Sequence, residues 1–553
     1  EPSMSLAVSP LNLGSRSARD VCFAAGYGAL SVASIGIFAV SFGPAKATLD
    51  SLVANCSEVE SGVETGVGRL HQALAGDDSS GGGGRILSDL MHAAPYLGTS
   101  LIFSLILGVL WMGLLRFFAK PVVYVTLVVK GFVLVALGWY GFKRVSDDSS
   151  CHLTEGDCTS RFYPLLLVAA GLVYFLWLCC ARNRIRMTAA LLEQAVAVVA
   201  SHPGLFLATA FLLVLMALSA VFAIAALLLL AASQVTLSAP QPPTAAQSAT
   251  CTVEWEVGGA GAAAYAVLLC FLYWSIQLWM AARYYVISLT TGVWYFENES
   301  LAAQEGAVAD KEYTAAPVCA SLRQALGKGF GTVAFASLVT TICEWLKALA
   351  RREGRDGGLI GCLVACCIQC ILSYVEFINR FALTFSALTG DALCASGRTF
   401  LGHCRRHGLL KVLVIDQLAA ITLQLGALVL ALAVGVLTSA VVDGTTHVHD
   451  DDRSTVLLTV GGVGWLLAAC VLSFVAGILL NVVDAAYSCL VLDLDNAARV
   501  GSFNRPPIAQ AVFVKVAPEY VVVQPDGSGL SYARHQAAAH PAVPMGLPVH
   551  GQP

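Results

Sequence analysis

Charge is scarce in this chain. Only 12% of its 553 residues are Asp, Glu, Lys or Arg, about half the share carried by a soluble domain. With a net charge of −4 and a pI near 6.3, the chain lacks the basic footprint that nucleic acid requires, so no nucleic-acid partner is expected. A soluble fold is excluded by 57% hydrophobic residues and a mean hydropathy of +0.73, because even a large soluble protein must show much polar surface to water. No nucleophile, base and orienting group fall into a recognisable pattern, so the chain is not expected to be an enzyme or to need a cofactor. Gly327, Lys328, Gly329, Phe330 and Gly331 form a glycine-rich run, but the strand before it and the Gly-Lys-Ser/Thr ending of a phosphate loop are missing. Close helix approach explains these glycines better, as it does Gly461, Gly462 and Gly464.

A disulfide scaffold is missing too. Most of the 18 cysteines lie within apolar runs, where a thiol behaves as a small hydrophobe. Cys56, Cys151, Cys158 and Cys251 fall in polar loops. Cys151 and Cys158 share one short loop and would pair if it is extracytoplasmic. Cys362, Cys366, Cys367 and Cys370 contain a C-x-x-C without a second ligand pair, which favours packing or palmitoylation over zinc. His447, His449, Asp450, Asp451 and Asp452 read as a solvated acidic loop before a metal site.

What the chain has is long apolar runs: 21–42, 93–118, 121–142, 162–181, 204–232, 258–296, 330–350, 359–388, 409–442 and 455–480. A crossing helix needs about 20 apolar residues for about 30 Å of hydrocarbon, and lipid satisfies no open strand or loop. The expected fold is an all-α polytopic transmembrane bundle of about ten spans over 21–500. Residues 1–20 form a cytoplasmic segment, 43–92 an outer loop, and the Pro-, Gly- and Ala-rich residues 501–553 a mostly disordered cytoplasmic tail. The first run is long enough to span and is expected to stay as a signal-anchor.

Lys and Arg placement sets orientation. Arg16 and Arg19, Arg116 and Lys120, Arg182, Arg184 and Arg186, and Arg405, Arg406 and Lys411 mark cytoplasmic ends. The acidic or neutral loops 43–92, 145–160, 233–257 and 443–454 face outside, where Asn55-Cys56-Ser57 is a glycosylation sequon. Arg351, Arg352 and Arg355 fall outside by simple alternation. Either 258–296, too long for one span, is two short spans with 359–390 re-entrant, or plain alternation holds; plain alternation is preferred.

Several stretches resemble one family. Asn379-Arg380-Phe381-Ala382, then Gly390, Cys394 and Ser396, resembles the N-R-x-A, G, C-x-S run of the choline transporter-like family at matching spacing. Asp484, Cys489, then Asp493-Leu494-Asp495 is similar to its closing pattern of an acid, a Cys five residues on, and D-L-E, with Asp495 in place of Glu. Residues 329–338 are similar to its G-S-x-x-F-G-S-L motif, with Ala336 where Gly is usual, and 285–296 resembles its span ending in W-Y-F. The resemblance covers roughly 258–500, and it implies a ten-span carrier of choline or a related amine, at the plasma membrane or an internal one, working without ATP.

A quaternary ammonium has no N–H to donate, so aromatic faces and a carboxylate must hold it. Tyr273, Trp274, Tyr284 and Trp294 are the candidate cage residues, against the alternative of interfacial aromatic belts. Glu344 and Asp416 are the candidate carboxylates, since charge at membrane depth is costly. Glu344 could instead sit at the headgroups, and Asp416 could pair with Lys130. Asp484 and Glu376 read as interfacial or paired with Arg380. Asn379, Arg380 and Gly390 are expected to shape a bend or gate, and Asp484 to support it. The rival to a carrier is a membrane scaffold or trafficking protein of the same fold, which would lack aromatics around a carboxylate.

Overall fold

The computed structural model describes residues 16–55, 58–59, 83–147, 159–238, 250–255, 258–296, 316–356, 358–407, 409–445 and 453–500, with three short strands beyond them. Its twelve helices are α1 (Val21–Asn55), α2 (Gly83–Asp147), α3 (Thr159–Cys180), α4 (Arg182–Ser201), α5 (Gly204–Ser233) and α6 (Gly259–Phe296), then α7 (Pro317–Leu326), α8 (Phe330–Asp356), α9 (Gly358–Thr389), α10 (Leu393–His407), α11 (Leu409–Thr445) and α12 (Arg453–Val500). Eight described helices are long and apolar enough to cross a membrane, and the bent pair α3 and α4, which turns by 77°, adds a ninth. The apolar part of α2 runs from Gly98 to Lys143, about 69 Å if straight and more than two bilayer cores long. It breaks at Phe118, whose φ of −126° and ψ of 28° are not helical. Counting its halves separately gives the ten spans expected, and the chain is a multi-pass integral membrane protein.

The stretch 258–296 is one continuous helix, and 358–389 is another of spanning length. Neither stretch is broken, as plain alternation expects. The ends of the bundle agree with it. After α1 and α5, β1 (Glu58–Val59) pairs parallel with β3 (Thr250–Trp255), which pairs antiparallel with β2 (Val235–Ser238). At the opposite end the segment before α1 contacts the start of α8 and the turn between α9 and α10, while Gly204 lies against Val318 of α7. Odd and even turns thus gather at opposite faces. We call the face carrying Arg16 the inner one, following the Lys and Arg bias.

Two boundaries move. α1 continues past Phe42 through Pro44 to Asn55, and α2 begins at Gly83, which shortens the outer loop of 43–92 at both sides. The tail contains β4 (Ser502–Phe503), β5 (Val521–Val523) and β6 (Leu530–Tyr532) in the order β4-β6-β5. Cys151 and Cys158 lie outside the described residues, as do His447, His449, Asp450, Asp451 and Asp452. Asn55 of the sequon is the last residue of α1.

α6 and α12 form the centre. Residues 285–293 of α6 are buried on every side, as are 482–493 of α12. Small residues let neighbours approach closely. A Cβ at Gly464 would meet Thr438 Oγ1 at 3.0 Å, and one at Gly461 would collide with Ser439 Oγ. Gly462 faces open space, so it plays no such part. Gly331 fits against the carbonyl oxygens of Arg19 and Asp20, and Gly329 against the Tyr285 ring, close approaches that leave no room for a side chain at either position.

Candidate functional site

α9 carries Glu376, Asn379, Arg380 and Leu383 at spacings of three and four, so these share one stripe of the helix. The stripe lines a cavity of about 840 Å³ between α6, α8, α9 and α11. Tyr284 comes from α6, Thr340 from α8, Asp416 and Gln417 from α11. Cys366 and Leu383 mark the reach of α9 along the wall, about 26 Å of helix axis.

At the inner end of the cavity one cation meets two carboxylates. Arg380 Nη2 lies 2.7 Å from Asp416 Oδ1 and 3.5 Å from Asp484 Oδ2. The Tyr284 hydroxyl donates to Asp484 Oδ2 at 3.4 Å. Asp416 and Asp484 are 6% and 3% exposed, so water does little to screen them. Two carboxyl groups thus flank one guanidinium. The guanidinium carbon also lies 5.8 Å from the Tyr284 ring, 5.8 Å from Phe377 and 5.5 Å from Phe381. Among the described residues Arg380 Nε has no hydrogen-bond partner. The guanidinium is thus held by its ion pairs and by ring faces.

A second charged group sits further out. Lys347 of α8 pairs with Glu376 of α9 and lies 3.2 Å from Glu344. Glu376 Oε2 makes that contact, while its Oε1 has no partner. Asn379 crosses to α8, donating to the Ala336 carbonyl at 2.7 Å and to Thr340 Oγ1 at 3.1 Å. Among the described residues no group of three or more His, Cys, Asp or Glu could hold a metal ion.

The structure redistributes the sequence candidates. Tyr284, Asp416, Asn379 and Arg380 come together at the cavity, and Asp484 joins them through Arg380. Trp274 does not: it is buried against Tyr27, and its Nε1 donates to Ser337 Oγ at 3.0 Å, so it anchors α1 and α8 to α6. Tyr273 is 48% exposed and stands edge-on to Trp345, on the outside of the bundle. Trp294 packs against the core, away from the cavity. The Glu344 side chain is 41% exposed and bound to Lys347, so it faces outward too. Lys130 does not meet Asp416; it sits 5.7 Å from the Tyr174 ring. Gly390 adopts a φ of 79° at the end of α9, a left-handed turn that favours glycine.

Sequence reasoning missed Lys347 and the segment before α1. Lys347 stands three residues after Glu344 inside an apolar run, a charge pattern that pointed to it. Arg16, an orientation signal in the sequence, is also a tether in the fold. Its Nη1 donates to the Ala387 carbonyl at 2.9 Å and its Nη2 to Leu388 at 3.1 Å, closing over Gly390. Asp20 accepts from Thr332 Oγ1 at 3.1 Å and from the Leu393 backbone N–H at 3.2 Å.

Comparison with known proteins covers the same helices. A family model described as plasma-membrane choline transporter matches residues 165–495. Protein PNS1 of Gibberella zeae is 28% identical over 35% of this chain and 36% of its own length. Choline transporter-like protein 2 of Danio rerio is 26% identical over 35% of this chain and 29% of its own. The matched regions thus span about a third of these relatives. A CTL-like protein of Dictyostelium discoideum is 22% identical over 74% of this chain and 73% of its own. With more than half of the chain matched and every cavity helix inside the match, the chain belongs to the choline transporter-like family.

Proposed function

We propose that the chain is a carrier of choline or a related organic cation, working by alternating access without ATP hydrolysis. One observation supports this reading above the rest. A cavity of about 840 Å³ is lined by Asp416, Arg380 and the rings of Tyr284 and Phe377, and Arg380 in turn contacts Asp484 and the Phe381 ring. A small quaternary ammonium is recognised by the same combination, since rings attract its spread charge and a carboxylate needs no donor hydrogen from it. Aromatics around a carboxylate also count against the scaffold reading. The family and its relatives' names point the same way.

On this reading Tyr284 and Phe377 supply ring faces, and Asp416 and Asp484 supply charge. Asn379 ties α9 to α8 beside the cavity, and Gly390 gives α9 its turn at the inner face. Residues carried by different helices can separate and rejoin around a fixed site as the bundle rocks. The test is uptake of radiolabelled choline, ethanolamine and polyamines by proteoliposomes containing the full chain. Choline uptake that saturates and falls sharply in Tyr284→Ala and Asp416→Asn is expected. Equal uptake in all three proteins would overturn the site, and no uptake of any tested cation would overturn the carrier reading.

A further inference from the structure

We propose that Arg380 is a tethered counter-cation: it occupies the substrate's seat while the carrier is empty, and substrate binding displaces it onto Glu376. The inference rests on the cation-carrier reading above and adds to it how the empty carrier returns.

The contacts of Arg380 are those a free cation would make. Its guanidinium lies within 6 Å of three rings and beside both carboxylates. A guanidinium is planar, weakly hydrated and suited to ring faces. A purely structural buried Arg has its fork of N–H groups engaged with aligned acceptors. Here Nε has no such partner among the described residues, and Nη2 rests on charge contacts to Asp416 and Asp484. These charge and ring contacts are ones that an incoming cation can take over when the group leaves.

A second seat lies within reach. Glu376 stands four residues before Arg380 on the same stripe of α9, the favourable order for a Glu–Arg pair. Its Oε1 has no partner, while Oε2 is engaged by Lys347. Both residues line the same cavity, and the Arg380 side chain is 25% exposed within it. A swing of one helical turn therefore carries the guanidinium from Asp416 and Asp484 to Glu376, leaving two carboxylates and the rings to the incoming cation.

The exchange has a kinetic result. For net transport an alternating-access carrier must reorient with its site empty. An uncompensated carboxylate crossing the closed, low-dielectric state makes that step costly. Arg380 in the seat offsets that charge, so the empty carrier can return. Without it the carrier moves only with a cation aboard, which turns net transport into exchange. Substrate must also compete with Arg380, which weakens its apparent affinity by the fraction of time the seat is taken.

The experiment measures tritiated choline entry into proteoliposomes that hold either no choline or saturating choline. The proteins are the wild-type full chain, Arg380→Gln, Arg380→Lys and Glu376→Gln, each checked for a monodisperse, cooperatively unfolding state. Arg380→Gln is expected to raise the ratio of exchange to net uptake by about tenfold or more and to lower the half-saturating choline concentration. Arg380→Lys, which keeps the charge, is expected to restore the ratio most of the way. Glu376→Gln removes the second seat and is expected to raise half-saturation about threefold to tenfold. If wild type moves choline but Arg380→Gln lowers exchange and net uptake alike, the tethered-cation role falls and the carrier reading stands. An unchanged ratio has the same meaning. If Arg380→Gln does not fold, Glu376→Gln with unaltered half-saturation overturns the proposal. Wild type that moves no choline in either direction overturns both readings together.

Discussion

Asp416 and Trp274 were candidates on equal terms in the sequence, and the structure gives them opposite tasks. Asp416→Asn removes one of two carboxylates around Arg380 and leaves a neutral pair with Asp484. Folding is therefore expected to be little changed, while the half-saturating choline concentration rises about tenfold, the equivalent of 1.4 kcal/mol of lost binding. A matched loss of thermal stability and uptake would show that the Asp416 charge serves packing instead. Trp274 is buried between Tyr27 and Ser337. Trp274→Ala is expected to cost about 3–5 kcal/mol of stability, read by thermal unfolding in detergent. Trp274→Phe is expected to keep choline half-saturation within a factor of about two, because the side chain touches no part of the cavity. The types of residue were legible from the sequence, since a charge or a Trp at membrane depth demands a partner. Their partners were not. Tyr284 and Trp274 lie on one helix ten residues apart and so present different faces, and only the neighbours of α6 decide which face lines a cavity.

The long helices could be read almost directly, because hydrocarbon leaves an apolar chain one local choice. α4, α7 and α10 were not foreseen as elements. α10 carries His403, Arg405 and Arg406 and α4 three arginines in its first turns, so neither resembles a crossing run. Their helicity comes from tertiary contact, with Ile185, Ala189, Leu192 and Val196 of α4 buried in the main core. The element most dependent on such contacts is the turn from α9 to α10. Asp20 accepts from the Leu393 N–H at the start of α10, as an N-cap side chain does from its own helix. Asp20→Ala is expected to cost about 1 kcal/mol and to lower the unfolding temperature by a few degrees. Gly331→Ala should be worse, because its Cβ would lie 2.7 Å from the Asp20 carbonyl oxygen and nearer still to that of Arg19. Faster protease cleavage in the segment before α1 is the expected readout, and unchanged cleavage would place that segment elsewhere.

At the scale of the whole molecule, alternation assigns loops to sides. Short tags inserted at 148–158 and 446–452 should be cut by external protease on sealed cells, and a tag at 297–315 only after permeabilisation. Any other pattern would overturn the ten-span path. That path puts Arg351 and Arg352 on the outer side, against the Lys and Arg bias. Counting charges alone therefore left 258–296 ambiguous, and what decides it is the unbroken α6. Length and hydropathy gave the number of crossings. The neighbours across the bundle depend on contacts distant in sequence, such as Tyr284 to Asp484 and Arg16 to Leu388, which no local pattern encodes.

Arg16 and Asp20 fasten one thin segment to α8, α9 and α10 at once. On the proposed carrier reading, any tilting of these helices apart at the inner face must first tear that fastening, so the segment would register the motion before substrate leaves. Cys22 is an exposed thiol two residues past it. An environment-sensitive dye attached there should brighten or dim once per turnover, which would make the N-terminal segment an optical reporter of the inner door.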